Sequence, residues 1–131
     1  MTDWKILAIK HSWSNLLLDS EAAGALFYEK LFALDPSLRP LFKHSMEDQS
    51  KKLIDMLTLM IVNLQCMDEM KEEISALARR HEQYGTRPEH YQTLGVALIQ
   101  TLEIQLADQW NPDLAEAWQE VYTIWTDAMI H

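Results

Sequence analysis

His81 lies near the end of the run Leu77-Ala78-Arg79-Arg80-His81-Glu82-Gln83-Tyr84-Gly85, an amphipathic helical stretch followed by a glycine and then Pro88. An imidazole carried on a rigid helix end ligates a transition metal strongly and leaves the opposite coordination face open, as reversible binding of a small ligand requires. His81 is therefore the residue best placed to hold a metal. Its rivals are weaker. His11 and His90 are flanked by polar residues and His131 is terminal, so all three read as solvated. His44, two residues past Phe42, belongs to a loop from which it could swing toward a metal.

Other side chains are suggestive by spacing. Tyr28 follows Gly24 by one helical turn, so both project from one face, and a phenol buried there needs a hydrogen-bond partner. Gln49 and Leu53, four apart, also share a face, placing an amide one turn before a branched apolar side chain. Taken singly, each is ordinary: Tyr28 and Phe42 read as core aromatics, Gln49 as a solvated amide, His81 as a core or surface histidine.

The elements that must position these residues are helices. With three glycines, four prolines and no strand-like alternation, the chain reads as all-α. Residues 3–18 carry Ile6, Ile9, Trp13, Leu16 and Leu17 at spacings of three and four. Asp19 or Ser20 caps a second helix to about Leu34, and Pro36 and Pro40 confine Ser37 to Phe42 to a short helical turn at a corner. Ser45-Met46-Glu47-Asp48 resembles a capping box ahead of a long core helix. Residues 68–84 form another helix, closed by Gly85, and Thr86-Arg87-Pro88-Glu89 starts the next. Asn111-Pro112 starts the last, roughly 113–130, with Leu114, Trp118, Val121, Tyr122 and Trp125 toward the core. Gly24, costly in a helix interior, fits a close helix crossing with Ser50 as the small partner.

Composition narrows the partners. The 131 residues suffice for one domain, and a net charge of −9 repels phosphate backbones and anionic bilayers, so neither nucleic acid nor a membrane is expected. Cys66 is the only cysteine, which excludes an internal disulfide and a thiolate zinc cage and fits a reducing cytoplasm. Met1-Thr2-Asp3-Trp4-Lys5 lacks the features of a signal peptide, and no apolar run reaches membrane-spanning length.

Read in order, Trp13, Phe27-Tyr28, Pro36, Arg39-Pro40-Leu41-Phe42, Gln49, Leu53, Arg80-His81, Pro88-Glu89-His90-Tyr91 and Ala117-Trp118 to Tyr122 form a pattern that resembles the bacterial single-domain globins, similar to the haem domains of flavohaemoglobins and to Vitreoscilla-type haemoglobins. The resemblance implies a globin fold over residues 1–131 around a haem b. It implies His81 as the proximal iron ligand, Phe42 stacked on the haem, and Tyr28, Gln49 and Leu53 on the distal side. Leu77 and Tyr91 would complete the cofactor site, with Arg80 and Arg87 as candidate partners for the haem propionates. The outer nitrogen of His81 would donate to an orienting group, the Leu77 carbonyl being one candidate and Tyr91 the family's. The family's assisting glutamate falls, counted from Trp118 and Tyr122, just past His131.

By the same resemblance the expected partners are dioxygen, nitric oxide and other small haem ligands, with oxygen binding or transport as the function. Nitric oxide dioxygenation with an external reductase is the alternative, since no flavin or nicotinamide signature occurs in the chain. A third reading, a haem-free helical interaction module, predicts that His81 is dispensable.

Overall fold

Side-chain caps begin the helices where short polar residues precede apolar stripes. Thr2, Asp19, Ser45 and Asn111 accept backbone N–H bonds from Lys5, Ala22, Asp48 and Leu114 at 3.3, 3.4, 3.2 and 2.8 Å. The computed structural model describes residues 1–43, 45–83 and 85–130, and for Asp68 the backbone alone. His44 and His131, considered above, lie outside the described residues.

Among the described residues six α-helices follow: α1 Asp3–Leu16, α2 Ser20–Leu34, α3 Met46–Val62, α4 Lys71–Gln83, α5 Pro88–Leu106 and α6 Pro112–Ile130. Short 3₁₀ turns connect several of them, and no strand occurs among the described residues. The proline-bounded corner is a 3₁₀ turn over Pro36–Leu41, opened by Asp35, whose carboxylate accepts from the Ser37 amide at 3.1 Å.

Three local features differ from the expected ones. The first helix, expected over 3–18, stops at Leu16, and Leu17, expected on its core stripe, is exposed in the 3₁₀ turn Leu17–Asp19. The segment expected as helix 68–84 begins only at Lys71, because 3₁₀ turns over Leu64–Met70 precede it, broken at Cys66 by φ −128° and ψ 47°. At the start of α5 the expected run Thr86-Arg87-Pro88-Glu89 does open the helix, but the side-chain cap comes from His90, whose Nδ1 accepts from the Arg87 amide at 3.0 Å. His90 is thus a capping residue and not a solvated bystander. The turn ahead of it does use Gly85 as expected: φ is +92°, and the Thr86 amide returns to the His81 carbonyl at 2.8 Å, closing α4.

Packing centres on α2, which lies against α5 and α3. A Cβ built on Gly24 would stand 2.7 Å from the Ser50 Cβ, so the α2–α3 crossing needs a glycine there. On the other side α1 packs against α6. Trp118, fully buried, donates its indole N–H to Ser12 at 3.0 Å, and Trp13 donates to Thr58 of α3 at 2.9 Å. The two indoles lie 6.0 Å apart, centroid to centroid. Outside this core Lys5 pairs with Glu116 at 3.6 Å and Glu120 at 3.1 Å. Among the described residues no helix is long and apolar enough to cross a membrane.

Candidate functional site

Between these helices lies a cavity of about 630 Å³, within the range of small-molecule sites. Tyr28, Phe42, Gln49, Leu53, Leu77, Arg80, His81 and Tyr91, all expected at one site, border it. They arrive from α2, the corner after Pro36–Leu41, α3, α4 and α5.

On one wall stands His81, part-buried near the end of α4. Its Nδ1 lies 3.1 Å from the Tyr91 hydroxyl, so the orienting group is that phenol and not the Leu77 carbonyl. Leu77 instead borders the cavity with its side chain, one turn earlier. Burial, and secondarily the neighbouring Arg80 charge, lower the imidazole pKa, which keeps the ring neutral at pH 7. With the proton on Nδ1 donated to Tyr91, the other ring nitrogen carries the lone pair that a metal needs.

Tyr91 is itself held from behind. The Tyr122 hydroxyl donates to the Tyr91 backbone carbonyl, and the Tyr122 ring fills the notch left by Gly95. A Cβ on Gly95 would stand 2.5 Å from that ring. Gly95→Ala is accordingly expected to displace Tyr122 and to lower unfolding free energy by about 1–3 kcal/mol, overpacking and the lost hydrogen bond outweighing the gain in helix propensity. Urea unfolding checks this, and adding Tyr122→Ala should recover part of the loss if the clash is its cause.

Another part of the lining is aromatic. Tyr28 meets Phe42 edge-on at 5.4 Å and Phe27 at 5.1 Å, centroid to centroid. Sequence reasoning aimed both Tyr28 and Gln49 at a ligand, but in this structure the Tyr28 hydroxyl donates to the Gln49 backbone carbonyl at 3.3 Å. A buried phenol takes the nearest acceptor, and at that length the bond is weak. Burial also pushes the Tyr28 phenol well above its ordinary pKa, so it remains a donor throughout the physiological range.

Tyr91 and Tyr122 are raised as well, burial again leading. Above about pH 10 the unfolded chain releases phenolic protons that the fold retains, so stability is expected to fall as pH rises beyond that value. Absorbance at the phenolate band should show Tyr28 and Tyr122 ionising only as helical circular dichroism is lost.

At the cavity mouth Lys43, Lys52 and Arg80 are exposed yet border the cavity, with Asp55 as the carboxylate among its lining. Arg87 does not border it, so of the two arginines considered only Arg80 is in place. Lys43 and Lys52 were missed, although one follows Phe42 directly and the other lies three past Gln49. Tyr122, Trp125 and Met129 of α6 also border the cavity and had been read, where noted at all, as plain core. His11 is exposed and remote from the cavity lining.

Among the described residues no group of three or more His, Cys, Asp or Glu could hold a bare metal ion. A metal held here by His81 would have to bring its remaining ligands with it, as the iron of a haem does. Residues and group fit: an imidazole on one wall, aromatic and aliphatic faces, and cations at the mouth for the propionate carboxylates.

Helices wrapped about such a cavity define an all-α haem-pocket architecture, and the comparisons agree. The Globin family profile matches residues 25–129, and the chain belongs to the globin family. It is 32% identical over 108 residues to an uncharacterized globin-like protein of Aquifex aeolicus, covering 81% of this chain and 75% of that one. Identity to the flavohemoprotein of Bacillus subtilis is 26% over 127 residues, 93% of this chain but 31% of that longer protein. Neuroglobin of Tetraodon nigroviridis is 22% identical over 130 residues, covering 88% of this chain and 82% of its own. Among solved structures, an engineered carbene transferase based on the proposed nitric oxide dioxygenase of Rhodothermus marinus superposes with a TM-score of 0.87, covering 98% of this chain and 90% of that one at 22% identity.

Proposed function

We propose that this globin holds haem b in the cavity, with His81 as its protein ligand, and binds dioxygen and other diatomic gases reversibly. The observation that carries the reading is the His81–Tyr91 pair bordering the same largely apolar cavity as Tyr28 and Gln49. When bound, the haem supplies a ferrous iron with one coordination position for a diatomic gas.

The chain's own residues do the rest. Tyr91 fixes the His81 ring and raises its basicity toward a metal. Phe42 and Leu77 offer apolar packing, while Lys43, Lys52 and Arg80 meet carboxylates at the mouth. Tyr28 exchanges its weak bond to the Gln49 carbonyl for one to a ligand carrying partial negative charge, and the Gln49 amide adds a second donor. Leu53 excludes water. The single cysteine suits a reducing cytoplasm.

Absorption spectroscopy of the purified chain with haem tests the reading. A Soret band and a stable dioxygen spectrum are expected, and failure to take up haem would sink it. Tyr28→Phe removes about 0.5–1.5 kcal/mol from the bound state, so dioxygen release should quicken about 2- to 10-fold by flow kinetics.

The relation to a flavohemoprotein favours a second reading, nitric oxide dioxygenation with an external reductase. It requires one electron per turnover from that reductase. Conversion of nitric oxide to nitrate by the dioxygen-loaded protein, sustained when a cellular reductant is supplied, separates the enzyme from a carrier.

A further inference from the structure

Three rings crowd the Tyr28 side chain. Phe27 and Phe42 meet it at interplanar angles of 82° and 75°, while Phe32, one turn further along α2, lies 5.9 Å away at 32°. Rings so placed hold the plane of a phenol and leave its O–H torsion free. The Tyr28 proton can therefore turn from the Gln49 carbonyl to a ligand without movement of the ring.

Phe32 has further contacts of its own. Its ring stands 5.6 Å from that of Phe42 at 69°, and the Arg39 guanidinium lies over it, 5.3 Å from the centroid. Arg39 and Phe42 are the ends of one turn, closed by the Phe42 amide donating to the Arg39 carbonyl at 3.1 Å. That turn thus touches Phe32 twice. α2 and the corner, which carry Tyr28 and Phe42 to the cavity, are joined through a ring that does not itself border it.

We propose that Phe32, held by Arg39, is a positioning residue for gas binding: it fixes Tyr28 and Phe42 together, so that the phenol offers its proton to a bound diatomic ligand at one angle. The inference rests on the reading of Tyr28 as a donor to that ligand. Arg39 is exposed and stands outside the cavity lining, so its influence on a ligand runs through Phe32. Loosening the turn lets Phe42 and Tyr28 tilt independently, and a hydrogen bond weakens steeply as its angle closes.

Arg39→Ala is the informative variant, because it removes no ring and no buried side chain. The ring-proton resonances of Tyr28 and Phe42 should move in it, in the haem-free and the haem-loaded chain alike. With haem, the infrared stretching band of bound carbon monoxide should broaden and shift in the direction that Tyr28→Phe shifts it, and dioxygen release should quicken about 2-fold. Phe32→Leu should quicken release about 2- to 10-fold and add nothing in a Tyr28→Phe background. Arg39→Lys, which keeps a cation, should restore part of the parent band. A purely structural role for Phe32 and Arg39 would lower the urea midpoint and leave band and release rate unchanged. That result, with Tyr28→Phe still shifting the band, overturns the proposal alone, as do ring-proton signals indifferent to Arg39→Ala. A band unmoved by Tyr28→Phe overturns the donor reading and the proposal with it.

Discussion

In His81→Gly, haem affinity is expected to fall by on the order of a hundredfold or more, because loss of an outer partner alone typically costs 10- to 100-fold and here the ligand itself is gone. The fold should persist. His81 is only part-buried near the end of α4, outside the core built by Ile9, Leu31, Leu102, Trp118 and Val121. Unchanged far-ultraviolet circular dichroism together with a lost Soret band is therefore the expected pair of results. Added imidazole fits the space vacated beside Tyr91 and should restore haem binding. A variant that holds haem as tightly as the parent would place the ligand elsewhere.

Trp118→Ala strikes the core instead. The side chain is fully buried, its indole N–H is bonded to Ser12, and its ring lies against Trp13. Truncation should cost about 3–5 kcal/mol, against a total stability for such a domain of about 5–15 kcal/mol. Guanidinium unfolding measures the loss. Trp118→Phe, which keeps an aromatic ring and gives up the donor, should cost clearly less; equal losses would show that the hydrogen bond and not the packing carries the effect.

Much of the architecture is legible in local sequence because local physics decides it. Asp19, Ser45 and Asn111 cap the helices they precede, and Gly85 closes α4 in the left-handed conformation. Gly24 and Ser50 meet as their sizes suggest, since a helix glycine demands a reason. The eight residues expected at one site do border one cavity.

What escaped the sequence depends on contacts made across the fold. Nothing in the run Leu64–Met70 announces the break at Cys66. The seating of Tyr122 over Gly95 joins residues of two helices, and the turn of Tyr28 toward the Gln49 carbonyl depends on which acceptor happens to be nearest. The role of His90 was hidden by its polar neighbours, which look the same around a solvated ring as around a capping one. Exposed lysines at the mouth carry no local sign that a cavity lies behind them.

The bond between Ser12 and Trp118 spans 106 positions of the chain. At a synthesis rate of about 5–20 residues per second, the first helix leaves the ribosome roughly 5–20 s before its partner exists. During that interval the stripe of Ile6, Ile9, Trp13 and Leu16 has only α3 and α5 to cover it and lacks the face that α6 supplies. Helix α6 thus shelters α1, and a nascent chain stalled short of Trp118 is a natural client for a chaperone.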